Sequence, residues 1–195
     1  QSSMVILILF GALIIAGIVY MIKIYNNIVQ KTNQIDNARG SIDAMLKKRH
    51  DLIPKMVESV KEYMGYEDAT LKEIVELRND AQSRNDLSKE QIASEDKISK
   101  DIEKIQVQAE DYPDLKASEN FKQLQKSLNE VEEQLSAARR FFNSAVKQYN
   151  DSIQMFPHSI IANAMNLQPA EYFESTQEEK ADVSIQGMFN ESKAN

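Results

Sequence analysis

Two histidines, His50 and His158, and the cluster Lys47-Lys48-Arg49-His50-Asp51 are the side chains whose types and spacing first suggest chemistry. A metal-binding helical bundle needs H-x-x-x-H or E-x-x-H pairs on facing helices, and neither spacing occurs. Cys is absent, which excludes disulfides, zinc fingers and thiol catalysis. The glycines form neither G-x-G-x-x-G nor a Walker loop, and no G-x-S-x-G is present. The basic cluster could bind anionic lipid or an acidic partner. It lies about 25 residues beyond an apolar N-terminal run, roughly 38 Å along a straight helix. That exceeds several Debye lengths at physiological salt. The expectation is therefore a solvated face, with Arg49 paired to a neighbouring carboxylate.

Arg49 is the sharper case because it falls on a helical seam. Ile28, Ile35, Ile42, Arg49, Met56 and Tyr63 recur at heptad spacing, with Thr32, Met45, Val60 and Leu52 or Ile53 between them. A buried charge needs a partner, and breaking such a pair costs roughly 3–5 kcal/mol. Arg49 is expected to fix register rather than to catalyse. Asn143, Tyr149 and Asn150 lie on or near a second seam and are expected to hydrogen-bond neighbouring helices. Arg139-Arg140-Phe141-Phe142 is a basic-aromatic run. Adjacent helical residues point in different directions, so Phe142 is assigned to the core, with Phe141 and Arg140 outward as a candidate interface.

The element carrying these residues is the longest heptad stretch: Phe121, Leu124, Leu128, Val131, Leu135, Ala138, Phe142, Ala145, Tyr149, Ile153 and Phe156. It predicts one helix of roughly 50 Å ending at Pro157. Pro54 should kink the first seam or start a new helix there. Gly65 reads as a C-terminal cap. Glu67-Asp68 should open a helix with Leu71, Ile74, Val75, Arg78 and Ala81 on one face, ending near Asn85-Asp86. Ser88 and Gln91 form a capping box for a third helix whose stripe is sparse: Ile92, Ile98, Ile102, Ile105, Ala109. That helix is expected to be exposed and the least stable. Tyr112-Pro113-Asp114 reads as a turn, and Ser118 as the cap of the long helix. Ile160, Ile161, Met165 and Leu167 should fold back on the helix end. Tyr172-Phe173 could dock as well.

Val5 to Ile22 carries no charged side chain. At about 27 Å it matches a hydrocarbon core, with Val5, Phe10, Ile14, Tyr20 and Ile22 as anchor residues. A signal peptide would show basic residues before the run and an A-x-A-like site after it, and both are missing. Lys23, Lys31 and Arg39 follow the run, which places the C-terminal part in the cytoplasm. Residues 1–4 read as a leftover from expression plus the natural start, 5–22 as a transmembrane anchor, 23–168 as a helical bundle and 169–195 as a polar, flexible tail. A formal net charge of −7 argues against nucleic acid as a partner.

Asp51-Leu52-Ile53-Pro54 with Val57, Val60-Lys61 and Tyr63, continued by Thr70-Leu71, Val75 and Arg78, resembles the first signature of the bacterial LemA family. Tyr112-Pro113, Leu115-Lys116-Ala117 and Asn120-Phe121 resemble the second. Leu124, Ala138-Arg139-Arg140, Asn143, Val146, Tyr149-Asn150, Phe156-Pro157 and Tyr172-Phe173 extend the likeness, as does Tyr25-Asn26 after the apolar run. The sequence departs from the family pattern at Tyr66, where many relatives carry His, and at His50, where an aromatic is common. The resemblance implies one N-terminal membrane anchor and an antiparallel helical bundle, and no established reaction.

The expected fold is all-α, a single transmembrane helix continuing into an antiparallel, coiled-coil-like four-helix bundle. The expected function is a non-enzymatic scaffold or adaptor of the bacterial inner membrane, needing no metal or cofactor. Its partners would be the lipid bilayer, further copies of itself and other membrane proteins. A single-pass sensor with a ligand pocket between long helices is the alternative. A hydrolase or metalloenzyme would need converging acidic or His groups that the sequence does not signal.

Overall fold

The computed structural model describes residues 2–64, 69–83 and 89–173, and these are helical with no strand among them. Helix α1 is Ser2–Met64, α2 Ala69–Gln82, α3 Lys89–Gln108, α4 Pro113–Ala117, α5 Glu119–Gln154 and α6 His158–Ala164, with a 3-10 turn at Ala109–Asp111. The helices divide between two compact units, residues 2–41 with 138–173 and residues 42–137. Residues 65–68, 84–88 and 174–195, which include the Gly65 cap, the Glu67-Asp68 helix start, Asn85-Asp86, Ser88 and most of the expected tail, lie outside the described residues.

In the unit of residues 42–137, one apolar cluster draws on four long helices and α4. Ile53, Met56, Val57 and Val60 come from α1, Leu71, Ile74 and Ala81 from α2, Ile98, Ile102 and Ile105 from α3, Leu115 from α4, and Phe121 and Leu128 from α5. Helix α3 is thus a core member and not the exposed helix its composition suggested. Its three essentially buried isoleucines, Ile98, Ile102 and Ile105, contribute roughly 1.5–3 kcal/mol each. Its seam also runs one step differently from the expected stripe. Gln91 and Glu95 are buried in phase with Ile98, Ile102, Ile105 and Ala109, while Ile92 is half-buried.

Helix α1 continues through Pro54 with neither a break nor a restart. Tyr63 and Thr32 are exposed, although the heptad phase placed them on the seam. The Thr32 hydroxyl donates to the carbonyl of Ile28 one turn back (3.1 Å). Tyr112-Pro113-Asp114 is more than a turn, since Pro113 begins α4 at the position where a missing N–H costs nothing. Ser118 precedes α5 and its Oγ accepts from the Phe121 N–H at 3.4 Å, the expected capping geometry. Helix α5 ends at Gln154, before Phe156, which is 80% exposed and off the seam.

In the other unit, Ile24 and Ile28 of α1 cluster with Tyr149 and Ile153 of α5 and Ile161 and Ala162 of α6. The apolar fold-back after Pro157 is therefore present, delivered by Ile161, Ala162 and the partly buried Leu167 rather than by the exposed Ile160 and Met165. No residue of the apolar run Val5–Ile22 of α1 is buried, and the run is long and apolar enough to cross a membrane.

Candidate functional site

The densest polar constellation in the unit of residues 42–137 surrounds Arg49. A long cation placed by α1 on a seam must find acceptors on whatever packs there, and α3 and α5 supply them. Arg49 Nη2 pairs with Glu95 Oε2 and donates to the Glu95 carbonyl (3.1 Å). Arg49 Nη1 donates to Glu132 Oε1 (2.9 Å) and Ser99 Oγ (2.6 Å). Ser99 Oγ lies 2.9 Å from Glu132 Oε2 and donates to that charged acceptor. His50, buried although it neighbours exposed lysines, brings Nε2 to 2.9 Å from Glu95 Oε1. The guanidinium is fully buried and Glu132 reaches the edge of the unit.

Burial alone would push the Glu95 carboxyl up. The hydrogen bond from His50 and the charge of Arg49 outweigh it and hold the group below its ordinary value of 4.5. Burial likewise opposes the charge on Arg49, and Glu132 and Glu95 overcome it, raising the guanidinium above its usual value. Chemically this is an ion-pair lock among α1, α3 and α5. The fork of Arg49 reads two carboxylates and a hydroxyl at once, which a lysine could not. His50 also lines a groove of about 430 Å³ with Asp43, Lys47, Gln82 and Gln91.

Sequence reasoning singled out Arg49 and missed Glu95, Ser99, Glu132 and the burial of His50. One signal was available. Extending the phase of Ile105, Ile102 and Ile98 backwards lands on Glu95, a carboxylate on a seam opposite a seam arginine.

In the unit of residues 2–41 and 138–173, Asn143, Tyr149 and Asn150 do meet partners, but not the neighbouring helices that were expected. All three bind the backbone of residues 168–173, at the head of the segment read as tail. Tyr149 Oη donates to the Gln168 carbonyl (3.1 Å), and burial raises the phenol above its ordinary value. The Asn150 side chain accepts from the Ala170 N–H (2.8 Å) and donates to its carbonyl (3.0 Å). Asn143 does the same to Phe173, at 2.8 and 3.0 Å. The Phe173 ring is buried edge-on to Phe142, centroids 6.3 Å apart, with the Arg139 guanidinium 4.8 Å over its face. Phe142 is half-buried beneath it. Tyr172 is exposed, as are Arg140 and Phe141, the latter by 54%. Val5, Phe10, Ile14, Tyr20 and Ile22 are exposed on α1.

These features define an all-helical protein with, among the described residues, one apolar helix of membrane length and a buried ion-pair cluster about Arg49. The LemA family model matches residues 38–186. A protein named LemA from Metamycoplasma hominis is similar, at 28% identity over 180 residues, covering 89% of this chain and 80% of the relative. The chain belongs to the LemA family.

Proposed function

We propose that this chain is a non-enzymatic scaffold or adaptor of a bacterial inner membrane, anchored once and self-assembling through its helical part. On this reading α1 crosses the bilayer over Val5–Ile22, and the remaining helices form an antiparallel four-helix bundle on the cytoplasmic side. The observation that carries it is the apolar run of α1. None of it is buried, and the same helix goes on to supply Ile53, Met56 and Val60 to a packed core. A lipid environment is the covering such a run requires. The outward Phe141 beside Arg140 supports contact with other copies or with other membrane proteins.

The test is the native mass of the full-length protein in mild detergent. A homogeneous particle of several copies, weakened by Phe141→Glu with helicity intact, is the expected result. A lone chain that carries no companion overturns the scaffold reading. The groove beside His50 favours a second reading, a ligand-binding sensor. That reading requires a small molecule which raises the unfolding temperature and loses its effect in a groove variant such as Gln82→Ala.

A further inference from the structure

Resting on the anchored reading, we propose that the corner between α5 and α6 enters the interfacial layer of the same bilayer, giving the protein a second membrane contact. Its outward apolar side chains are Met155, Phe156, Ile160 and Met165. Their height along α1 follows from the packing of α5. Lys31 Nζ meets Gln148 Oε1 at 2.6 Å, and Ile28 and Ile24 cluster with Tyr149 and Ile153. Helix α5 therefore runs toward the apolar run of α1 as its numbering rises, and it ends just before Met155-Phe156. Helix α6 then lies beside the last turn of that run. Met21, Ile22 and Tyr25 share an apolar groove of about 380 Å³ with Ile160, Ala164 and Met165. If Val5–Ile22 fills the hydrocarbon, α6 sits at its boundary.

The corner is built for that depth. Helix α6 is apolar on two sides: Ile161 and Ala162 face the protein, while Ile160 and Met165, at the rim of the groove, stay partly exposed. Phe156 is 80% exposed, an arrangement costly in water and favourable among acyl chains. No Asp, Glu, Lys or Arg occurs from Ser152 to Ala170, in a chain where 27% of residues are charged. Where the corner meets lipid, the absence of charge spares it a costly burial. Tyr20 and Tyr25 bracket the same level, as interfacial aromatics do.

The chain has no Trp, so a single introduced Trp reports one position. Full-length Phe156→Trp, Ile160→Trp and, for the span, Ile14→Trp are placed in phosphatidylcholine bilayers with or without brominated acyl chains. The expected result is loss of most of the Trp emission at all three positions on bromination. Quenching of Ile14→Trp with both corner probes undimmed overturns the proposal and leaves the anchor standing. That outcome would mean that water or a protein covers the corner. An undimmed Ile14→Trp overturns the anchor itself, and the corner contact with it.

Discussion

Arg78 replaces the hydrogen bond that Pro54 removes. A proline inside a helix leaves the carbonyl four residues earlier without its N–H, and here that carbonyl belongs to His50. Arg78 Nε, reaching from α2, donates to the His50 oxygen at 2.7 Å. It supports the continuation of α1 through Pro54 without a new helix start. It also ties α2 to the turn of α1 that bears Arg49.

Arg78→Met should therefore destabilise the protein by about 1.5–3 kcal/mol, the range for a hydrogen bond from a charged donor. In a Pro54→Ala background the N–H is restored, and the same change should cost clearly less. Urea unfolding of the four proteins measures the coupling. Equal costs in both backgrounds would mean that Arg78 contributes only its packing.

Asn143 and Asn150 act on one extended segment from positions seven residues apart on α5. Either Asn→Ala change should cost about 1–2 kcal/mol and speed amide hydrogen exchange at Ala170 and Phe173. The double variant should cost less than the sum, because release of the segment by the first loss leaves the second with little to break. Strict additivity would show that the two clamps hold independently.

Removing Arg49 strands Glu95 in a buried site. Arg49→Ala should cost about 3–5 kcal/mol, and Arg49→Lys should recover little, because an ammonium cannot reproduce the fork. Combining Arg49→Met with Glu95→Leu removes both buried charges, and Glu132, partly exposed, can turn to water. That double variant should be more stable than Arg49→Ala when unfolded in the same denaturant series.

Much of this architecture is legible in the residue pattern, since burial enforces periodicity. Leu128, Val131 and Leu135 lie buried where the heptad phase puts them. The phase misleads at its ends: Tyr63 and Phe156 continue the count but are exposed. The charged positions of α3 were harder, because a carboxylate in a charge-rich helix looks like surface until its partner is known. Glu95 stands out when the phase of Ile98, Ile102 and Ile105 is extended back to it, opposite a seam arginine many residues away. Residues 168–173 have no periodic signal at all. Their order comes from side chains of α5 gripping their backbone, a relationship between distant positions that composition cannot express.

The pH dependence follows from Glu95. Its folded-state carboxyl lies below the ordinary 4.5, so its contribution to stability is complete above that value and is lost as pH falls through the folded value. The groups facing it are Arg49, which stays charged throughout, and His50. Stability should therefore decline on acidification below about pH 4.5. Glu95→Gln should be less stable at neutral pH, because Arg49 loses a charged partner, and its stability should fall less steeply in acid. Denaturant unfolding of both proteins across a pH series reads this directly. Parallel curves would mean that the acid sensitivity lies elsewhere, since a group whose ionisation is linked to folding must change the slope when it is removed.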